Sequence, residues 1–126
     1  MIGKPNKEKV LLLSIKPKYA NKIFSGEKTV ELRRTKPNLK RGDIVAVYVS
    51  SPIMALSGEF EVDEVLEREP EELWSEVGEE SGIEKNEFKN YYRGAEIAFG
   101  IKFKKVVNFK QPVPLSNLRK TWTGFT

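Results

Sequence analysis

Cysteine and histidine are both missing from this 126-residue chain, and glutamine occurs once, at Gln111. Without cysteine there is no disulfide and no thiolate nucleophile. Without histidine as well, the usual ligand sets for zinc, iron and copper are gone, and a Ser-His-Asp triad is excluded. A magnesium ion held by one or two carboxylates and the phosphates of a substrate stays compatible with the composition. Nothing in the sequence demands it, so no cofactor and no resident metal are expected. Long apolar runs are lacking too: no segment approaches the roughly 20 residues that span a bilayer. The lysine-rich start leads into a strand-like segment rather than the hydrophobic region of a signal peptide. The expectation is a cytoplasmic, monomeric protein with no membrane partner, folded as one domain over residues 1–126.

The net charge of +4 hides a strong division along the chain. Residues 1–50 hold twelve Lys or Arg against four acids, residues 51–87 two against thirteen, and residues 88–126 eight against one. If the two basic thirds meet in space they form a face that attracts phosphate, which points to nucleic acid or a nucleotide as partner. The abundance of Lys and Glu, with few thermolabile residues, is equally the bias of a heat-adapted protein.

Periodicity outlines an α+β domain. Val10 to Ile15 is a short apolar run that reads as a buried strand. Pro17 opens a helix, with Tyr19/Ile23 and Ala20/Phe24 as i,i+4 pairs, and Gly26 closes it. A strand from Thr29 follows, then turn-rich residues, then a third strand from Ile44 to Val49 ending at Ser50-Ser51-Pro52. Met54 to Leu66 alternates, and Gly58 within it marks a bend of the kind that closes a small barrel. Helices are expected from Pro70, with an acidic stretch read as a solvated face, and from Ile83 to Tyr92 with Gly94 as stop. In that second helix Phe88, Tyr91 and Tyr92 read as core aromatics rather than stacking platforms for bases. Ile97 to Val107 returns to strand, and Pro112 to Pro114 leads to the end. The expected architecture is a small, partly open antiparallel β-barrel of five or six strands with about three flanking helices.

The richest segment is Gly26 to Arg34. If a strand starts at Thr29, alternation puts Thr29, Glu31 and Arg33 on one face and Val30 and Leu32 on the other, with Lys28 at the mouth of the turn. A carboxylate and a guanidinium then share a face at about 7 Å, within reach of one ligand. The same residues also suit a solvated outer face, where an ion pair is worth about 0–1 kcal/mol.

Gly26, Lys28, Glu31 and Arg33 match the GxKxxExR motif of the ASCH domain, a branch of the PUA-like superfamily, and the chain resembles that family along nearly its whole length. The resemblance extends through Leu11 to Ala20, Gly42-Asp43 with the strand to Ser51-Pro52, Gly58 to Val62, Pro112 to Leu115, and Leu118-Arg119. It implies a PUA-like barrel with a motif-lined cleft and a role in binding RNA or handling nucleotides. Carried over to these positions, Lys28 is a cation for phosphate or a carbonyl, Arg33 grips phosphate or orients Glu31, and Glu31 accepts from an exocyclic base amine such as that of cytosine. Lys16, Tyr48, Ser50 and Ser51 sit at strand ends that would surround the same cleft.

The resemblance leaves three functions open: an RNA- or modified-nucleoside-binding module, a metal-independent hydrolase of RNA or of an acylated nucleoside, and a protein-interaction or transcription-cofactor domain. A subgroup resembling this chain hydrolyses acetylated cytidine with a lysine matching Lys28 and a threonine where Glu31 stands here. A ribonuclease would combine Lys28 with Glu31, Tyr48 or Ser51. A lysine acts as a base only with a lowered pKa, and Glu31 is expected to push Lys28 the other way. Binding is therefore the leading expectation. The C-terminal Trp122 to Phe125 tail is expected either to cover the cleft or to fray.

Overall fold

The computed structural model describes residues 9–117, so the Trp122 to Phe125 tail lies outside it. Five strands form one curled sheet: β1 (Val10–Ile15), β2 (Val30–Arg33), β3 (Ile44–Val49), β4 (Ala55–Arg68) and β5 (Ala98–Pro114), in the order β1-β3-β4-β5-β2. Among the described residues, the helices are α1 (Pro17–Ser25), α2 (Pro70–Val77) and α3 (Lys85–Tyr91), with a 3-10 turn at Glu79–Ser81 and helical residues again at 115–117. None of the described helices is long and apolar enough to cross a membrane.

Local chemistry sets these boundaries. Pro17 occupies the start of α1, and Gly26, at φ 90°, ends it with its N–H on the Ile23 carbonyl. Pro70 starts α2, where Glu69 and Glu72 form a reciprocal capping box. β5 extends beyond Val107 to take in Pro112 and Pro114, because β2 pairs only with its first half. The second half is an edge, where a missing N–H is tolerated.

The half-barrel agrees with expectation, but its strands are not all antiparallel: β1 runs parallel to β3, from Val10 beside Ile44 to Ile15 beside Val49. The cause is the crossover. After β1 the chain passes through α1 to β2 on the far edge of the sheet, and returns to β3 in the direction it left. Asp43 fixes this pairing at its entrance. Its fully buried carboxylate accepts the backbone N–H groups of Lys9 (3.1 Å) and Lys40 (2.9 Å) and the Lys40 ammonium (3.2 Å).

Three register shifts bend β4 against β5 and one against β3. At one of them sits Gly58, where a Cβ would strike the Val107 carbonyl and come within 2.5 Å of the Phe24 ring. Inside the curl, Ile15, Ile23, Val45, Val47, Phe60 and Phe103 make the first core, with Phe60 and Phe103 stacked at 4.1 Å. A second core lies outside it, where Val30 and Leu32 of β2 meet Leu73, Val77, Phe88 and Tyr92 of the helices. β2 is thus wedged between two cores. Its Glu31 and Arg33 are register partners of Ile101 and Phe99, so they share the barrel face while Val30 and Leu32 face the helices.

Gly58→Ala is expected to cost about 1–3 kcal/mol, read as a lower urea midpoint, because a backbone carbonyl must move to admit the methyl group. Asp43 gives a pH test. Burial by itself raises its pKa, but the hydrogen bonds from Lys40 and Lys9 outweigh it and hold the carboxyl below its ordinary 3.8. Its stabilisation is therefore complete above that value and disappears as pH falls through the lower folded one. Urea midpoints of the parent and Asp43→Asn should differ at about pH 6, and the difference should shrink as pH falls below 3.8.

Candidate functional site

The residues after Gly26 are held by a run of carbonyls from the 3-10 turn. Thr29 donates its backbone N–H to Glu80 O (2.8 Å), Lys28 Nζ donates to Ser81 O (2.6 Å), and Lys22 Nζ donates to Gly82 O (2.6 Å). Gly82 permits this approach: it adopts φ +72°, and a Cβ there would lie 2.9 Å from Lys28 Cβ. Ser81, fully buried, returns its hydroxyl to Gly78 O at 2.6 Å and locks the turn. Glu79 and Glu80, in the acidic stretch, keep their side chains exposed as expected, while the carbonyls of Glu80, Ser81 and Gly82 seat the motif.

Lys28 is not at the mouth of the turn but beneath it, 2 % exposed. Its Nζ lies 3.7 Å from Glu31 Oε1, and Glu31 Oε2 lies 3.0 Å from Arg33 Nη2. Arg33 Nη2 also donates to Ser14 O on β1 at 3.3 Å, while Arg33 Nε is buried without a hydrogen-bond partner. A cation–anion–cation chain thus replaces the solvated pair that strand spacing alone allowed. Burial lowers the Lys28 pKa below its ordinary 10.5. Glu31 raises it and Lys22 adds to the lowering, but burial is the largest influence. Glu31 pushes the amine upward as expected, but desolvation is the larger influence and the net direction is down.

Lys16, Lys28, Glu31 and Arg33 line one cleft of about 160 Å³ with Tyr19 of α1 and Tyr91 of α3. The two tyrosines were not legible as site residues. Tyr19 read as a core position, yet Lys28 Nζ stands 5.5 Å from its ring centre. Tyr91 read as core with Phe88 and Tyr92. Those two are buried, whereas Tyr91 is 39 % exposed, its hydroxyl donating to Leu32 O at 3.2 Å. Burial raises the Tyr91 pKa, and raises that of Tyr92 more strongly. Arg34 fastens this end of α3 by donating to the carbonyls of Tyr91 (2.6 Å) and Arg93 (3.1 Å).

Tyr48, Ser50 and Ser51 do not line the cleft. Tyr48 is one strand away, in register with Ser14. Ser50 closes a turn by donating its N–H to Ile15 O and accepting those of Ile53 and Met54, and Ser51 is exposed within that turn. A larger groove, about 990 Å³, runs between α2 and α3 past Trp74, but its ionisable Glu69, Glu71, Lys85, Lys89 and Glu96 are all exposed. Buried Lys28 and Glu31 line the smaller cleft instead. Among the described residues no three acidic side chains gather as metal ligands.

The profile of the ASCH domain matches residues 13–107. The chain is 27% identical over 130 residues to the ASCH domain-containing ribonuclease of Zymomonas mobilis, across 91% of this chain and 88% of that protein. The crystal structure of ASCH from Zymomonas mobilis superposes with a TM-score of 0.88 at 25% identity, covering 94% of this chain and 82% of that one. The large ribosomal subunit protein uL22 of Ureaplasma parvum is 32% identical over 118 residues; the match takes in 91% of this chain and spans only 38% of that relative's length.

With its pKa lowered, Lys28 loses its proton in the folded protein before it does in the unfolded chain, so stability rises with pH between the folded value and 10.5. An NMR titration of labelled lysine Cε should show Lys28 moving below 10.5. Glu31→Gln should move it lower still, since the carboxylate is what opposes burial.

Proposed function

Because the chain belongs to the ASCH domain family, we propose that its cleft recognises RNA, with one base or modified nucleoside held over Lys28, Glu31 and Arg33. The observation that carries this reading is the buried ion chain at the floor of a cleft of about 160 Å³. Buried ionic groups are poor sources of stability, so their placement in a concavity favours a ligand. The volume lies below the roughly 300–1,000 Å³ of pockets for drug-sized ligands, which suits a single ring. Glu31 offers an acceptor to an exocyclic amine, Arg33 a forked donor to a carbonyl or phosphate, and exposed Lys16 a cation at the rim. The reading places the protein in RNA metabolism or translation-linked regulation, acting in the cytoplasm as a single-domain monomer.

Hydrolysis is the second reading, and one observation favours it: the lowered pKa of Lys28 makes a neutral amine more accessible, as a general base needs. The Zymomonas relative that aligns over 88% of its length is named a ribonuclease. In this reading Lys28 takes the proton of a 2′-hydroxyl, whose oxygen bonds to the adjacent phosphorus as the bond to the 5′-oxygen breaks; Arg33 steadies the developing charge on the phosphoryl group, and the leaving 5′-oxygen takes a proton from water.

Fluorescence anisotropy with labelled single-stranded RNA tetranucleotides distinguishes the readings. Binding should weaken with salt and fall about tenfold or more in Glu31→Gln and Lys28→Met, with melting curves confirming that both variants fold. Equal affinity in parent and folded variants would sink the proposed site. RNA shortened by the parent but left intact by Lys28→Met would establish hydrolysis in place of binding alone.

A further inference from the structure

The ion pairs around the cleft leave positive charge over at its ends. Glu31 and Glu87 are the acids that line it; Glu31 is matched by Lys28 and Arg33, and Glu87 by Lys18 at 3.5 Å. Lys16, Arg34 and Arg93 are exposed, and among the described residues no carboxylate pairs with any of them. Backbone carbonyls hold the Arg34 guanidinium at the end of α3, and Arg93 Nη2 donates to Asn90 Oδ1 at 2.9 Å. Neutral acceptors of this kind fix a cation in place without cancelling its charge. The topology sets these cations apart. β1 is parallel to β3, β3 antiparallel to β4, β4 to β5 and β5 to β2, so β1 and β2 run in opposite directions where the Arg33–Ser14 contact joins them. Lys16 follows Ser14 and Ile15 along one strand, and Arg34 follows Arg33 along the other. The two positions therefore diverge from that contact, by about 10 Å of backbone at roughly 3.3 Å per residue. Arg93 joins Arg34 through its carbonyl, beside Tyr91 of the cleft.

We infer that the ligand is a single RNA strand that passes through the site, one phosphate meeting Lys16, another meeting Arg34 and Arg93, and the base between them entering the cleft. This rests on the reading of the cleft as a base site. A free nucleoside has no phosphate and leaves both ends idle, and a nucleoside monophosphate satisfies one end only. A chain that continues in both directions uses both. These contacts go to the backbone, so they position the strand and add affinity that depends on salt, while the choice of base stays with Glu31. A base must be unpaired to enter a cleft of about 160 Å³, which sets a single strand apart from a duplex.

The measurement is the slope of log affinity against log salt for RNA homotetranucleotides, in the parent, Lys16→Gln, Arg93→Gln and the double variant. Lys110→Gln, at an exposed lysine of β5, is the control for loss of charge as such. Each end substitution should flatten the slope by about 0.7 and the double variant by about 1.4, with Lys110→Gln matching the parent. Arg34 is left intact because it also holds the end of α3. A slope unchanged in either end variant, an equal flattening in Lys110→Gln, equal affinity for duplex, or equal competition by a tetraglutamate peptide overturns the through-running strand. Glu31-dependent binding of a nucleoside would then still support the cleft. Absence of binding by every tetranucleotide and nucleoside overturns both.

Discussion

An ammonium group cannot be taken out of water unless acceptors are waiting for it, and the burial of Lys28 organises the site around that requirement. Its acceptors are the Ser81 carbonyl and, farther off, the Glu31 carboxylate. The carbonyl is available because the 3-10 turn is pinned by the Ser81 hydroxyl and because a glycine follows, allowing the backbone to lie against the lysine stem. That turn in turn hangs from α2, whose Leu73 and Val77 are anchored in the second core. Packing of apolar helices against β2 thus ends in the placement of one carbonyl oxygen. The charge chain through Glu31 to Arg33 follows from the same seat.

The position of β2 explains why so much charge is buried on so short a strand. Four residues separate two cores, with Val30 and Leu32 turned to the helices and Glu31 and Arg33 to the mouth of the barrel. A strand with one face in water would have left Glu31 in a solvated pair of little worth. Here the carboxylate lies between Lys28 and Arg33, 3.7 Å from one and 3.0 Å from the other.

Much of this was legible in the residues. Pro17 and Gly26 bound α1, period-2 alternation located β4, Gly58 marked the bend, and the motif matched the family, because each is a local signal with a local cause. The depth of Lys28 was not legible, since it depends on carbonyls more than fifty residues away. Nor was the role of Glu79 to Gly82: a run of acids reads as solvated, and its side chains hide the fact that its backbone is what matters. Tyr19 and Tyr91 fit helical core spacing and still reach the cleft. Tyr48, Ser50 and Ser51 fell at the end of β3 as expected, but the parallel β1–β3 register, fixed by a crossover that periodicity does not reveal, sets Ser14 of β1 rather than Tyr48 at the cleft.

The sheet curls until its two edge strands face each other, and across that gap the Arg33 guanidinium reaches the Ser14 carbonyl. A backbone ladder would make such a seam permanent; a side chain makes it a clasp. Arg33 therefore serves two partners at once, the Glu31 carboxylate on its own strand and the Ser14 carbonyl across the gap. The charge that sits in the cleft is in this way also the side chain that ties one edge of the barrel to the other.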